Sequence, residues 1–101
     1  MGHIGERLGA WFLTSNGLTV IEQNVPVGRG EVDLIANDGS TRVVIEVRSV
    51  TSGGDPLDAI DADKRRQVSS LARDLGVDRV DYLGVGFGSQ FVDFHWVPGS
   101  S

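Results

Sequence analysis

Apolar residues recur along this chain with two different spacings, which predict the element order α-β-β-β-α-β-β. From Ile4 to about Ser15 they follow the three-to-four-residue repeat of an amphipathic helix. The Asn16-Gly17 pair then provides a residue type that accepts a left-handed backbone, which is typical of a helix end. The chain is therefore expected to open with a helix that packs one apolar face on the rest of the fold.

A second, longer amphipathic pattern predicts a helix in the second half of the chain. The loop of residues 51–54 precedes Asp55-Pro56, which resembles an N-cap with proline at the first helical position. After a small break, either Asp61 or Asp63 can restart the helix, and Gly76 provides its C-terminal stop. We expect this helix to begin near Asp55 and to end near Gly76.

Five short runs rich in β-branched and aromatic residues predict a sheet. They are Leu18–Glu22, Glu31–Ala36, Arg42–Arg48, Val80–Phe87 and Phe91–Val97. The first run is expected to end before Pro26, residues 37–40 and 88–90 are expected hairpin turns, and residues 98–101 are expected to fray. The pattern predicts an α/β fold with a mixed, mostly antiparallel five-stranded sheet flanked by helices.

The first hairpin brings two acidic residues to the same face of the sheet. Strand alternation directs Val32, Leu34 and Ala36 toward the core and leaves Asp33 on the other face, and the next strand leaves Glu46 there in the same way. A two-residue turn would place Asp33 directly opposite Glu46. A four-residue turn keeps the same faces together, whereas an odd turn without a bulge would separate them.

Two facing carboxylates repel, and each raises the pKa of the other unless a positive group lies between them. A divalent cation such as Mg²⁺, which prefers one or two carboxylates with waters and substrate phosphates, would fill that role. The alternative is that Asp33 and Glu46 face solvent with Arg42 or Arg48 as ion-pair partners. Spacing alone leaves both interpretations open.

A set of motifs resembles a known family. They are Gly5-Glu6 with Ala10, then Asn24, residues 30–35 with the sequence GEVDLI, residues 45–48 with the sequence IEVR, and Lys64. From Gly5 to about Val97 the chain is similar to the YraN-like family of predicted endonucleases. That family belongs to the restriction-endonuclease-like group with the PD-(D/E)xK motif and is similar to archaeal Holliday-junction resolvases.

The resemblance implies a restriction-endonuclease-like fold, a Mg²⁺ or Mn²⁺ cofactor and hydrolysis of phosphodiester bonds, with structured DNA as a candidate substrate. It implies Asp33, Glu46 and Glu6 as metal ligands, and it adds position 48 and Lys64 to the catalytic set. Glu6 is equally explained by the preference of acidic residues for the first turn of a helix. Lys64 either forms a surface ion pair, for example with Asp61, or brings its ammonium to the carboxylates.

This chain departs from the family pattern at position 48, where Arg48 stands in place of the motif lysine. Arginine stays protonated, so Arg48 is excluded as a general base, but it can stabilise negative charge that develops on a phosphate. The departure leaves two classes of function open. One is a metal-dependent nuclease-like enzyme, and the other is a catalytically inactive module of the same fold that binds nucleic acid or a protein.

Composition limits the partners and the location. With 101 residues the chain is expected to form a single domain, 1–101, with an ordered core over about 4–97. The formal net charge of −5 predicts weak non-specific affinity for nucleic acid, DNA included. The chain contains no cysteine, which excludes thiol chemistry, and no apolar run of membrane-spanning length, so we predict a cytoplasmic protein with no membrane partner.

Four further features have ordinary explanations at this level. Glu31 shares a face with Asp33 but can pair with a neighbouring arginine. Lys64-Arg65-Arg66 and Arg73 form the basic cluster, and consecutive helical positions point in different directions, so no single patch is expected. His95 is expected to be a surface or interface residue. Phe94 and Trp96 are expected in the core, or at the seam of a homodimer if their strand lies at a sheet edge.

Overall fold

The computed structural model describes residues 2–51 and 60–99, and it confirms the predicted order of elements. The elements are α1 (Gly2–Ser15), β1 (Thr19–Val27), β2 (Gly30–Asp38), β3 (Thr41–Val50), α2 (Ala62–Asp74), β4 (Arg79–Phe87) and β5 (Val92–Val97). The predicted start of the second helix near Asp55-Pro56 lies outside the described residues. Within them, α2 begins after the N-cap Asp61, which is one of the two restart points expected from the sequence.

The five strands form one sheet in the order β1-β2-β3-β4-β5. Each neighbouring pair is antiparallel except β3 and β4, which run parallel. A parallel pair needs a long crossover, and α2 lies in the connection between these two strands. The prediction of a mixed, mostly antiparallel sheet is confirmed. Neither described helix has the length and apolar character needed to cross a membrane.

Helices cover both faces of the sheet. On one face α1 contributes Leu13 to a cluster with Leu34, Ile45 and Leu83. On the other face Val68 of α2 belongs to a second cluster, which also contains Val32, Ile35 and Val44. The sequence predicted a core-facing side for β2 and β3 opposite to the side that carries Asp33 and Glu46. That expectation is incomplete, because α2 buries the second face as well.

The change of side at Val32 has a local cause. Strict alternation would group Val32 with Leu34, but Val32 lies in the cluster with α2. The pairing of β2 with β3 ends at Leu34 and Ile45, whereas β2 remains paired with β1 as far as Gly30. Once β2 is released from β3 it is free to twist toward its other neighbour, and strict alternation relative to β3 no longer applies.

Strand β1 is longer than predicted. It continues through Pro26 to Val27, and Pro26 pairs with Glu31. Proline is tolerated here because β1 is an edge strand, where one side of the backbone needs no ladder hydrogen bond. The strand is irregular between Val20 and Glu22, and Asn24 adopts a left-handed backbone with φ of 54°. The sequence prediction stopped the strand before Pro26 and therefore missed its last residues.

A buried acidic residue that the sequence analysis did not single out holds the segment after β5 at Gly99. Asp81 is fully buried and accepts two hydrogen bonds from Arg79, one from Trp96 Nε1 at 3.0 Å and one from the Gly99 N–H at 2.7 Å. The expectation that the tail frays immediately after Val97 is therefore wrong for Gly99. Its backbone is held because a buried carboxylate needs several donors.

Strand β5 lies at the second edge of the sheet, but its aromatic side chains are engaged within the chain. Phe94 stacks on Phe12 of α1 with ring centroids 4.5 Å apart, and Trp96 meets the same ring edge-on. The core interpretation of Phe94 and Trp96 is confirmed. The homodimer remains a prediction.

Candidate functional site

Two acidic side chains meet where β2 and β3 separate. The predicted hairpin register is confirmed, with Asp38 paired to Thr41 and Leu34 to Ile45. The next step of this register brings Asp33 opposite Glu46, and there the backbone ladder stops. The Asp33 carboxylate accepts a hydrogen bond at 2.8 Å from the backbone N–H of Val47. The carboxylate accepts the hydrogen bond that a backbone carbonyl of β2 would accept in a continuous ladder. This contact fixes Asp33 beside Glu46.

Glu46 is buried, with only 4% of its surface exposed. Burial, a hydrogen bond with Asp33 and the negative charge of Asp33 raise the pKa of Glu46 to about 8. The positive charges of Lys64 and Arg48 oppose this rise without cancelling it. A carboxyl group with such a pKa lies in a site that favours a bound proton or cation at neutral pH.

Lys64 reaches these carboxylates from α2. The Asp61 side chain accepts a hydrogen bond from the backbone N–H of Lys64 at 2.9 Å, which caps the helix and fixes its first turn. The Lys64 Nζ then lies 3.4 Å from Glu46 Oε2 and 3.4 Å from the Gln67 side-chain oxygen. Of the two alternatives left open by the sequence, the structure places the ammonium at the carboxylates, while Asp61 contacts only its backbone.

Glu6 reaches the same region from α1. A Cβ atom on Gly5 would lie 3.0 Å from Ser49 Oγ, so glycine at this position allows the first turn of α1 to approach the end of β3 closely. The Asn24 side-chain nitrogen, in the amide orientation that its surroundings require, donates to both oxygens of Glu6 at 2.7 and 3.1 Å. Asn24 thus ties this carboxylate to the edge strand β1.

These residues line one cavity of about 260 Å³. Its lining consists of Glu6, Asp33, Glu46, Val47, Arg48, Ser49 and Lys64. The structure therefore brings together all five residues of the predicted catalytic set. Glu31 is exposed and does not line the cavity, and neither does His95 on β5.

Two buried polar atoms in this cavity have no hydrogen-bond partner, and no other side-chain atom of the described residues shares that condition. One is Glu46 Oε2, an acceptor, whose separation from the Lys64 ammonium gives an ion pair without a completed hydrogen bond. The other is Arg48 Nε, a donor. Buried polar groups are normally paired, so an unmatched acceptor and an unmatched donor in one cavity indicate a site for a polar ligand.

The donor set suits a divalent cation that is completed by other ligands. Within residues 2–51 and 60–99, no three His, Asp or Glu side chains are grouped so that they would enclose a metal ion on their own. The facing pair Asp33 and Glu46 matches the one or two carboxylates with which Mg²⁺ is usually bound, the remaining positions being taken by water and substrate oxygens. Glu46, whose Oε2 has no hydrogen-bond partner, lines the cavity where such an ion would lie.

The sequence analysis was right in part about the basic residues of α2. Lys64 lines the cavity with Glu46, apart from its two neighbours, but Arg65, Arg66 and Arg73 line one shallow depression of about 400 Å³ together with Ser69. Positions 65, 69 and 73 follow at intervals of four along the helix, and position 66 lies three residues from 69. The prediction considered the three consecutive residues and overlooked this longer repeat.

Comparisons with known proteins agree with this architecture. The family described as "Uncharacterised protein family UPF0102" matches residues 5–85. A UPF0102 protein of Anaeromyxobacter dehalogenans is 37% identical over 98 residues, covering 87% of this chain and 73% of the relative. One from Streptomyces coelicolor is 43% identical over 97 residues, covering 84% and 75%.

A solved structure has a similar fold. It is Hjc, a Holliday junction resolvase of Archaeoglobus fulgidus, which matches with a TM-score of 0.60 and 20% sequence identity. The match covers 95% of this chain and 75% of the resolvase. The five-stranded mixed sheet with its two helices is therefore similar to the fold of a nuclease.

Proposed function

We propose that this chain, which belongs to the UPF0102 family of uncharacterised proteins, is a metal-dependent nuclease-like protein acting on phosphodiester bonds of nucleic acid. The observation that carries this proposal is the unmatched pair of Glu46 Oε2 and Arg48 Nε in one cavity. A phosphodiester bound through a divalent cation would satisfy both, since the cation meets the carboxylate and a phosphate oxygen meets the guanidinium. The resolvase-like fold supports the same class of substrate.

Asp33 and Glu46 would hold the Mg²⁺ or Mn²⁺ ion, with Glu6 as a third candidate ligand. When bound, such an ion supplies a Lewis acid and makes its coordinated water a stronger acid at neutral pH. Val47 keeps Asp33 in place through its N–H, and Asn24 does the same for Glu6. These contacts orient the carboxylates before any ligand arrives, which reduces the free-energy cost of ordering them on binding.

The two cations of the cavity have different tasks in this proposal. Arg48 donates to phosphate oxygens and stabilises the charge that grows on them during attack by water. Lys64 brings an ammonium to the carboxylates from a different element than the one that carries the motif lysine in the YraN-like pattern. Its position beside Glu46 suits a role in holding the attacking water. Arg48 cannot take the role of a base toward this water, because arginine stays protonated.

The direct test is cleavage of branched and duplex DNA in Mg²⁺ and in Mn²⁺. The wild type is expected to cut at least one of these substrates, and Asp33→Asn and Glu46→Gln are expected to lose cleavage. Calorimetry is expected to detect Mg²⁺ or Mn²⁺ binding in the wild type and to find that both variants have lost it. Glu31→Gln is the matched control, because it neutralises an exposed carboxylate on the same strand outside the cavity.

The alternative function, an inactive module that binds nucleic acid or a protein, is distinguished at Arg48. Arg48→Lys restores the family motif and should raise cleavage if the site is catalytic. Lys64→Gln should reduce cleavage if its ammonium acts at the carboxylates. Absence of cleavage by both the wild type and Arg48→Lys, in either metal, would overturn the nuclease proposal and favour the binding module.

A further inference from the structure

Positive charge is concentrated on α2 although the chain as a whole is acidic. Of the nine Lys and Arg residues in the sequence, four lie in the thirteen residues of this helix: Lys64, Arg65, Arg66 and Arg73. Lys64 is engaged with Glu46, and the three arginines line one surface with Ser69. We call Arg65, Arg66, Ser69 and Arg73 the basic surface.

Helix stability does not explain this arrangement. Three cations occupy positions 64 to 66, close behind the N-cap Asp61. Cations at this end of a helix are disfavoured by the macrodipole, whose positive end lies there. Lys64 is compensated by the Glu46 carboxylate. Arg65 and Arg66 lack such a buried partner, so their placement calls for another explanation.

The contacts among residues 2–51 and 60–99 leave the N–H donors of these arginines available. The Arg65 guanidinium lies over the Tyr82 ring at 4.6 Å from its centroid, a contact that orients the plane and uses the face of the group instead of its N–H bonds. Arg66 pairs with Asp63, and both side chains are largely exposed. An exposed pair of this kind contributes little to stability, so a phosphate can displace Asp63 readily.

The basic surface begins where the proposed active site ends. Arg65 follows Lys64 directly, and Arg73 lies nine residues beyond Lys64, about 13 Å along the helix axis at 1.5 Å per residue. Tyr82, on which Arg65 rests, is the β4 partner of Glu46 in the sheet. A chain of phosphates spaced along a nucleic acid strand matches such a track better than a single small anion does.

We propose that the basic surface of α2 binds the phosphate backbone of a DNA strand next to the bond held at Asp33 and Glu46. This inference rests on the proposed function. It gives the basic surface the role of aligning the DNA strand beside the candidate active site. The surface contacts phosphates only, so it contributes affinity and register without reading bases. The carboxylate-rich remainder of the chain repels DNA, and this repulsion restricts DNA binding to the basic surface.

The test measures DNA binding without divalent metal, so that it does not depend on catalysis. Fluorescence anisotropy with labelled duplex and branched DNA at several salt concentrations gives the dissociation constant and its salt dependence. Arg65→Gln and Arg73→Gln should each weaken binding to different sequences equally and should lower the slope of log K against log salt by about 0.9. The double variant should lower it by about 1.8 and weaken binding by about tenfold or more at low salt.

Arg7→Gln is the matched control. It removes the same charge from an exposed position on α1, which covers the opposite face of the sheet. The inference predicts that Arg7→Gln behaves as the wild type. Equal losses in Arg7→Gln and the α2 variants, unchanged binding in the α2 variants, or no binding by the wild type would each overturn it.

These outcomes are separable from those of the nuclease proposal. If the α2 variants still cleave DNA and bind it with unchanged affinity, the proposed function stands and the basic surface has no part in it. DNA affinity that depends on the basic surface, in a protein that cleaves in neither metal, would support the surface and overturn the nuclease activity. Circular dichroism of each variant confirms that the exposed substitutions leave the fold intact.

Discussion

Replacing Glu46 by glutamine should make the metal-free protein more stable above neutral pH. Glutamine keeps the shape of the side chain and can donate to Asp33 as a protonated Glu46 does, but it carries no charge at any pH. The ordinary pKa of glutamate is 4.5, and in the folded chain burial and Asp33 raise that of Glu46 to about 8. The variant therefore mimics the protonated form that the folded site prefers.

The size and sign of the effect follow from proton linkage. Between these two pKa values the folded state binds a proton that the unfolded state has released, so the free energy of unfolding falls as the pH rises. At about pH 5 the unfolded state has already lost most of this proton, whereas the folded state retains it over most of the range and has lost about half of it at about pH 8. At about 1.4 kcal/mol per pKa unit, this difference corresponds to a loss of about 3 to 4 kcal/mol.

Urea or guanidinium unfolding across this pH range measures the effect. The wild-type curve minus the Glu46→Gln curve isolates Glu46, because every other titrating group is common to both proteins. Glu31→Gln, an exposed carboxylate on β2, should give a curve parallel to the wild type. Mg²⁺ or Mn²⁺ should restore wild-type stability at pH 8 and leave Glu46→Gln unchanged, since only an ion bound to the folded state stabilises it. Parallel curves for the wild type and Glu46→Gln would refute the reasoning.

Two further substitutions test the contact of Asn24 with Glu6 and the ion pair of Asp81 with Arg79. Asn24→Gly keeps the left-handed backbone and removes the amide, so we expect weaker Mn²⁺ binding by calorimetry with little change in stability. Unaltered Mn²⁺ affinity in Asn24→Gly would remove Asn24 from the site. Asp81→Ala should lower the free energy of unfolding by about 3 kcal/mol or more, because it leaves the half-buried Arg79 with only one ion-pair partner. A loss under about 1 kcal/mol in denaturant unfolding would contradict this, and Asp93→Ala on the exposed side of β5 is its control.

The hairpin was predictable because its signals are local. The two-residue turn at Gly39-Ser40 sets the register, and the register determines which side chains of β2 and β3 oppose each other. Counting from the turn was enough to bring Asp33 and Glu46 together. Their burial was not predictable in this way, since it depends on α2 packing over that face of the sheet.

Features that depend on distant segments were missed or left open. The position of the Lys64 ammonium depends on where α2 docks, and helical spacing alone allowed both of its interpretations. The role of Asp81 depends on donors from β5 and the chain end. The contact between Asn24 and Glu6 joins an edge strand to a helix, and its local signal is an asparagine in a left-handed conformation within a strand. The resemblance to a family named Lys64, Asn24 and Glu6, but only the structure shows that Asn24 holds the Glu6 carboxylate.

The parallel pairing of β3 with β4 divides the site between a local and a long-range part of the chain. The carboxylates belong to a hairpin closed by a tight turn, which joins neighbouring residues at small cost in loop entropy. Lys64 belongs to the crossover, and its position depends on the pairing of β4 with β3, across a separation such as that of Val43 and Arg79. Docking of the crossover brings the ammonium to Glu46 and also buries this carboxyl group, and burial has the larger effect on its pKa. The long-range contacts therefore give Glu46 of the local acidic pair its raised pKa.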